Sequence, residues 1–483
     1  MADVYRHGVY VQEASSDLVV MSRQSGGLIM AVGTSPIRQA TTPVAANEPV
    51  LCSTYNEAVS RLGYSTDTGK YTLCEAMDVL FGLYQVAPVV FVNVFDPTTH
   101  KTEHERELHQ VTADHKVSID GDVIGTIKTE TMTTDGSDET WTDISANVTV
   151  TTQTTDTTVL TLPETYTLGA RVYLTYDEPD ASRVSGDMVA GSYNSITGAS
   201  TGLELVSEVY SRFGQTIGTI IAPGWSHLPN VMLKMAGKAE LVNGHFSAVA
   251  IADLNSTAIG GYGQAYAWKT SNGYAHPHLI ACYPAVKYGN AMQHMSTHLA
   301  GRMARQTADD GDVPYRSPSN RSALISGMCN LDGSANYFGE EAACVLNGGG
   351  IVTVTNFNGW RFWGNNTSAY PGTSDPKDRW IAVRRMFNFV KEALTLRFWS
   401  QLGEPITRRQ IDSIIDSANT YLNGLTNMGA LLGGRVECLE EDNSASDLAD
   451  GKVSFRVYVT PPSPARELMF TMQYDAEYLG EIF

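Results

Sequence analysis

The sequence predicts a multidomain α/β (α+β) protein. An α/β middle domain carries an inserted, small Thr-rich β domain and is followed by a C-terminal core of mixed sheet and helices. Three observations carry this prediction. Short apolar runs bounded by Gly or Pro alternate with helix-like segments over about 21–110 and again over about 200–360. Between them the composition turns abruptly to Thr, Asp and Val. Beyond about 360, two long amphipathic helices precede strands that alternate with period two.

Residues 1–20 read as an extended arm. The run Val4-Tyr5-Arg6-His7-Gly8-Val9-Tyr10-Val11 is rich in β-branched and aromatic residues but too poor in apolar surface to build its own core. The middle domain takes 21–110 and 196–358. Its expected strands are Gly27–Gly33, Pro49–Cys52, Pro88–Val94, Thr219–Pro223, Ser247–Asp253, His278–Cys282 and Ile351–Thr355. Its expected helices are Tyr55–Leu62 with a Gly63 stop, Leu73–Tyr84, Gly202–Phe213 and Ala285–Gln306. The inserted β domain takes 111–195. It is acidic, with Lys116, Lys128 and Arg171 as its only Lys or Arg residues over 111–180, and its Ile, Val and Trp141 content argues against a disordered linker.

The C-terminal core takes 359–471. Trp380, Val383, Phe387, Val390, Leu394 and Phe398 fall three or four apart, which predicts a helix over Arg379–Leu402. Thr407-Arg408-Arg409-Gln410 fits a capping box opening a second helix. Arg435–Leu439, Lys452–Thr460 and Glu467–Tyr474 read as strands; in the second, Val453, Phe455, Val457 and Val459 mark a buried face. The last residues, 472–483, read as another extended arm.

Bulk properties exclude several functions. The formal net charge is −19, so a broad phosphate-binding surface is not expected and no direct nucleic-acid partner is predicted. Two readings of the acidity stay open: solubility, or a large exposed surface on an assembly that must not aggregate sideways. The six cysteines are scattered without a C-x-x-C pair, so neither a zinc site nor a redox pair is expected. The residues after Met1 do not read as a signal peptide, and no apolar run reaches membrane-span length.

Catalytic motifs come close and fail. Gly63-Tyr64-Ser65-Thr66-Asp67-Thr68-Gly69-Lys70 has one residue too many for a phosphate loop, and Tyr71 stands where Ser or Thr is needed. The histidines of His104-Glu105-Arg106-Glu107-Leu108-His109 are five apart, about 140° apart on a helix at roughly 100° per residue. Gly261-Tyr262-Gly263 lacks the third glycine of a dinucleotide fingerprint. His276-Pro277-His278 has no further ligand at metal spacing. No enzyme, cofactor or metal is predicted. Basic residues do gather on the C-terminal helices. Arg384, Arg385, Lys391 and Arg397 form either a contact for an acidic partner or a solvated face with internal ion pairs.

From Trp360 onward the sequence resembles the contractile phage tail sheath family. The resemblance rests on Gly359-Trp360-Arg361-Phe362-Trp363-Gly364-Asn365-Asn366-Thr367, on Arg384-Arg385-Met386, on Gly429 to Val436, and on Val457-Tyr458-Val459-Thr460-Pro461-Pro462-Ser463-Pro464-Ala465. Gly8–Glu13 is similar to the family's opening strand, and Asp309–Asn320 to its mid-chain loop. Asn366 departs from the pattern, which has Arg there, and 111–195 carries none of it.

The resemblance implies a structural subunit of a phage, tailocin or related injection particle. Such subunits polymerise helically around an inner tube and contract to drive it through the target envelope. Implied partners are further copies of itself, the inner tail tube protein, and baseplate and terminator proteins at the sheath ends, with no membrane insertion. The implied location is the virion tail, after synthesis in the host cytoplasm. Subunit-linking residues are expected in both arms: Val4, Tyr5, Val9, Tyr10 and Val11, then Met472, Tyr474 and Tyr478. Arg384, Arg385, Lys391 and Arg397 become the candidate tube contact. The competing readings are a virion hydrolase or carbohydrate-binding protein using 111–195 as a binding module, and an adhesin or fibre.

Overall fold

The computed structural model describes residues 27–135, 138–154, 157–475 and 478. The N-terminal arm residues Val4, Tyr5, Val9, Tyr10 and Val11 lie outside the described residues.

The first strand, β1 (Ile29–Gly33), is buried at every position. After β2 (Pro49–Cys52) comes α1 (Tyr55–Leu62). It opens on a reciprocal cap, in which Thr54 accepts from the Glu57 N–H at 3.1 Å and Glu57 accepts from the Ser53 N–H at 2.8 Å. Gly63 ends it at φ 77°, where a Cβ would lie 2.0 Å from the Pro36 carbonyl oxygen. Helix α2 (Thr72–Met77) widens into a π-turn over Asp78–Leu83 before β3 (Val89–Asn93).

Seven strands then form the insert: β4 (Lys101–Gln110), β5 (Lys116–Asp120), β6 (Ile124–Asp135), β7 (Asp138–Asp143), β8 (Thr149–Gln153), β9 (Thr157–Thr161) and β10 (Arg171–Pro179). They make two antiparallel sheets, ordered β4-β10-β6-β7 and β5-β9-β8. Val117, Ile119, Leu160, Val172 and Leu174 belong to a core of the insert's own. Its strands therefore span 101–179, against the 111–195 expected. Strand β4 was missed because it is a charged edge strand with no apolar alternation, a common guard against edge pairing. Ala181, Val184 and Val189, by contrast, pack into the main core.

The α/β pattern resumes with α3 (Gly186–Ala190), α4 (Val209–Phe213), β11 (Thr219–Ile221), α5 (Pro229–Glu240), β12 (Val249–Asp253), α6 (Tyr262–Ser271) and β13 (Leu279–Cys282). Gly202–Glu208, expected as the start of a helix, is a 3-10 turn leading into α4. The helix expected over Ala285–Gln306 is a hairpin, β14 (Ala285–Tyr288) and β15 (Ala291–Gln293), followed by α7 (Met295–Asp309). Gly289, at φ 59°, makes the turn that breaks the helical reading. Strand β16 (Gly327–Cys329), α8 (Glu340–Gly348), β17 (Ile351–Asn356) and β18 (Trp360–Trp363) complete this part.

Eight strands form the main sheet, ordered β18-β17-β13-β12-β11-β1-β3-β2. The six inner strands run parallel, and the edge strands β2 and β18 are antiparallel to their neighbours. Inner strands such as β1, β3, β12 and β13 are buried throughout, which is why they read as continuous apolar runs.

The C-terminal part holds α9 (Pro376–Arg379), α10 (Ile381–Phe398), α11 (Arg408–Asn427), β19 (Gly433–Glu437), α12 (Ala445–Ala449) and β20 (Arg456–Thr460). Thr407 caps α11 as expected, accepting from the Gln410 N–H at 3.2 Å. Met386, Phe389 and Val390 of α10 meet Ala418, Leu422 and Leu425 of α11 and Val436 of β19 in a separate small core. The strand expected at Glu467–Tyr474 has no ladder; that stretch is without secondary structure and exposed.

Candidate assembly surface

Strands β19 and β20 pair antiparallel, from Gly433 opposite Thr460 to Glu437 opposite Arg456. Two strands alone make a marginal sheet. The edge of β19 is occupied: Asn419 of α11 accepts from the Val436 N–H at 2.8 Å and donates to the Val436 carbonyl at 3.4 Å. Strand β20 has no second neighbour among the described residues. The alternation read in the sequence is met only in part. Phe455 and Val459 pack on the small core, but Val457 remains 39% exposed. Beside it, Tyr458 lies under Arg435 at 4.1 Å. The result is a β edge with an apolar face half finished.

Beyond Thr460 the chain runs exposed. Leu468, Phe470, Met472 and Tyr474 are 76–95% exposed and fall on alternate residues, so an extended backbone places all four on one face. Burying such side chains is worth roughly 1.5–3 kcal/mol each. The arm residues Met472, Tyr474 and Tyr478 thus stand where a partner can reach them. The start of this segment, Pro462–Glu467, lines a groove of about 800 Å³ that also holds Arg316, Arg321 and Arg379. Asn366, the departure from the family pattern, is buried there; it donates to the Asn347 carbonyl at 3.1 Å and accepts from Arg379 at 3.2 Å.

The four basic residues of α10 divide. Arg385 is 5% exposed, donates to the Thr307 hydroxyl at 2.8 Å, and is pushed down to about 10 by burial. It cannot present charge to a partner, which corrects the expectation for that residue. Arg384 is mostly covered and bonds Asp378 at 3.1 Å. Lys391 is exposed but tied to the Ser247 hydroxyl at 2.9 Å, and Arg397 is exposed over the Tyr421 ring. Helix α10 therefore docks on the middle domain through a polar seam: Arg385, Asn388 to the Ala248 carbonyl at 3.0 Å, Lys391, and Glu392 bonded to Thr216. Burial pushes the Glu392 carboxyl up to about 7.

Parallel α/β sheets take ligands at the carboxyl ends of strands where strand order reverses. Here that point lies between β1 and β11 and is filled by the chain's own side chains. His294 donates to Glu75 at 2.7 Å, and the Ser296 N–H and hydroxyl donate to Asp253 at 2.9 and 2.5 Å. Glu75, Asp253 and Ser296 are 0–3% exposed. A Cβ on Gly224 would sit 2.6 Å from Thr72 Cγ2. Burial pulls the His294 imidazole down, but the Glu75 carboxylate outweighs it and raises His294 to about 9. Burial likewise opposes ionisation of Glu75, and His294 outweighs it to hold that carboxyl below its usual range.

The near-miss motifs have structural roles. Gly63–Lys70 is the turn between α1 and α2, where the Lys70 carbonyl accepts from Thr34 at 2.8 Å. His104–His109 lies on strand β4, not on a helix. Gly261 caps α6. His278 bonds the Ala248 carbonyl at 2.8 Å and His276 faces Glu240 at 3.3 Å. Sequence reasoning missed the Asn419 cap and the Glu75–His294 pair, since both join residues distant along the chain.

Among the described residues, a β edge without a second neighbour and an exposed alternating segment are the features that fit a strand from another chain. Comparison with known proteins shows what the chain is similar to. Residues 373–475 match the family model of the phage tail sheath C-terminal domain. Across 99% of this chain and 98% of the relative, the sequence is 26% identical to the tail sheath protein of Burkholderia phage BcepMu. The fold is similar to a chain in the contracted sheath complex of an extracellular contractile injection system, with TM-score 0.58 and 14% identity over 99% of this chain and 100% of the other. It is also similar to a chain of the anti-feeding prophage baseplate, with TM-score 0.57 and 14% identity over 98% and 99%. The C-terminal part matches the tail sheath domain family, and both the sequence resemblance and the fold class are borne out.

Proposed function

We propose that this chain is the structural subunit of a contractile tail sheath. Copies polymerise helically around an inner tube, and contraction of the polymer drives the tube through the target envelope. The observation that carries the reading is the free edge of β20 beside a C-terminal segment with four alternating exposed apolar residues. A strand added to that edge gains main-chain hydrogen bonds for affinity and alternate side chains for register. Contacts of this head-to-tail kind build a helix when their rotation does not close a ring. Linked segments can then act as hinges while the bodies rotate between two packings, so the stored free energy lies in subunit contacts.

On this reading, Met472, Tyr474 and Tyr478, with Val4, Tyr5, Val9, Tyr10 and Val11 at the other end, link neighbours. Arg397 and Lys391, the exposed members of the basic set, face the tube protein. Baseplate and terminator proteins meet the sheath ends. The particle's tail is its location, and no catalytic role is part of the reading. Similarity to a phage tail sheath protein, 26% identical over 99% of this chain, supports it. The test is electron microscopy of the purified chain. Hollow tubes or stacked rings are expected; small monodisperse oligomers with glycan-hydrolase activity would overturn it in favour of the hydrolase alternative.

A further inference from the structure

Between α3 and the 3-10 turn at Gly202–Glu208 the chain makes a short hairpin, Gly191–Gly202, that projects from the middle domain. Its tip residue Ile196 is 94% exposed, and Tyr193 beside it is 61% exposed. An exposed Ile on a floppy loop would need no explanation. This loop is built stiff. Tyr193 bridges Ser200 antiparallel, and the Asn194 carbonyl accepts from the Gly198 N–H at 2.8 Å. The Asn194 side chain accepts from the Ile196 and Thr197 N–H groups at 2.9 and 3.2 Å, an Asx turn that fixes the tip.

The root is equally fixed. Thr201 bonds both main-chain groups of Ser192, at 3.0 and 3.2 Å. Gly191 and Gly202 have positive φ, and a Cβ on either would lie 1.8 or 2.4 Å from a carbonyl oxygen across the root. Asn47 accepts from the Gly202 N–H at 2.8 Å, and Val189 and Leu203 anchor the two ends in the main core. The hairpin holds Ile196 out in water, when a looser loop could fold it back.

We infer that this hairpin is a contact knob that seats on a second copy of the chain. The inference rests on the sheath reading and names a contact separate from the chain ends. Charge selects the occupant. The chain carries a net charge of −19, so two copies repel overall as they approach. From Met188 to Leu203 there is no charged side chain, which makes the hairpin a place where two copies can touch without adding to that repulsion. A preorganised loop also loses little conformational entropy on docking.

The test uses the full chain with Ile196→Asp and, separately, with the photo-reactive residue p-benzoylphenylalanine at position 196. Wild type must first form polymer; failure there overturns the sheath reading itself and this inference with it. Given polymer, Ile196→Asp is expected to raise the concentration needed for assembly about tenfold or more while leaving the melting temperature unchanged. Irradiated polymer, mixed from isotopically light and heavy copies, is expected to give light–heavy cross-links from position 196. Unchanged assembly of Ile196→Asp, or cross-links confined to one chain or to tube protein, would overturn the inference. The cross-link decides alone if the Asp variant does not fold.

Discussion

Asn419 on α11 pairs with both main-chain groups of Val436, accepting its N–H at 2.8 Å and donating to its carbonyl at 3.4 Å. One side chain thereby closes the β19 edge of the small sheet and leaves β20 as the edge open to a neighbour. Asn419→Ala should cost about 1–2 kcal/mol, the range for a lost, partly buried hydrogen-bonding group. Urea unfolding of the unassembled chain measures it.

The alternating face of the C-terminal segment makes a sharper expectation. Phe470→Asp with Met472→Asp places charge where a neighbour's sheet would cover it, at several kcal/mol for an unpaired buried carboxylate. The monomer should melt as wild type does, because both residues are exposed in it, 86% and 95%. Sedimentation should find the polymer gone. Phe470→Ser, milder, should weaken assembly without abolishing it.

How much of this was legible in the sequence follows from where each signal sits. Strands β1, β3, β12 and β13 announce themselves because burial on both faces demands unbroken apolar runs. Helix α11 was legible from Thr407 and Gln410, a local hydrogen bond between neighbours in sequence. Strand β4 was invisible, since an edge strand lined with Lys101, Glu103, Glu105 and Glu107 carries no burial pattern. Arg385 misled because a charge on an amphipathic helix reads as solvent-facing, and only the packing of α10 against Thr307 of α7 shows it turned inward. The sequence likewise pointed to the chain ends, but the capping of β19 and the openness of β20 depend on Asn419 meeting Val436 in three dimensions.

Glu392 lends the polar seam under α10 a pH dependence. A carboxyl at about 7 when folded and near 4.5 when unfolded binds more protons in the folded state. Its stability contribution is full below about 4.5 and is lost as pH rises to about 7. Glu392→Gln should therefore stabilise the chain by about 1–3 kcal/mol at pH 8 and change little at pH 4.5. Chemical denaturation at the two values checks it.

The Glu75–His294 pair has an alkaline limit. His294 is raised to about 9 in the fold, so the pair's contribution from this group is fully present below the unfolded value near 6.5 and is lost as pH rises through about 9. Denaturation midpoints should fall between pH 7 and pH 10, and His294→Gln should flatten that fall. His227, His278 and His298 act at the other end. Burial pushes each down to about 4, so stability is lost as pH falls from about 6.5 toward 4.

Charge at the proposed tube contact gives a separate expectation. Arg397→Glu should reduce co-sedimentation with the tube protein at low salt, with the difference shrinking above about 0.5 M salt as screening shortens the reach of charge. Sheath polymer formed without tube should be unaffected.

The central claim is that copies join by adding a strand to β20. A cryo-electron-microscopy reconstruction of the wild-type polymer tests it most directly. The account predicts backbone density for a strand from a neighbouring copy hydrogen-bonded along Arg456–Thr460, with apolar side chains covering Val457. A polymer in which that edge stays bare, or is covered only by its own chain, would contradict it.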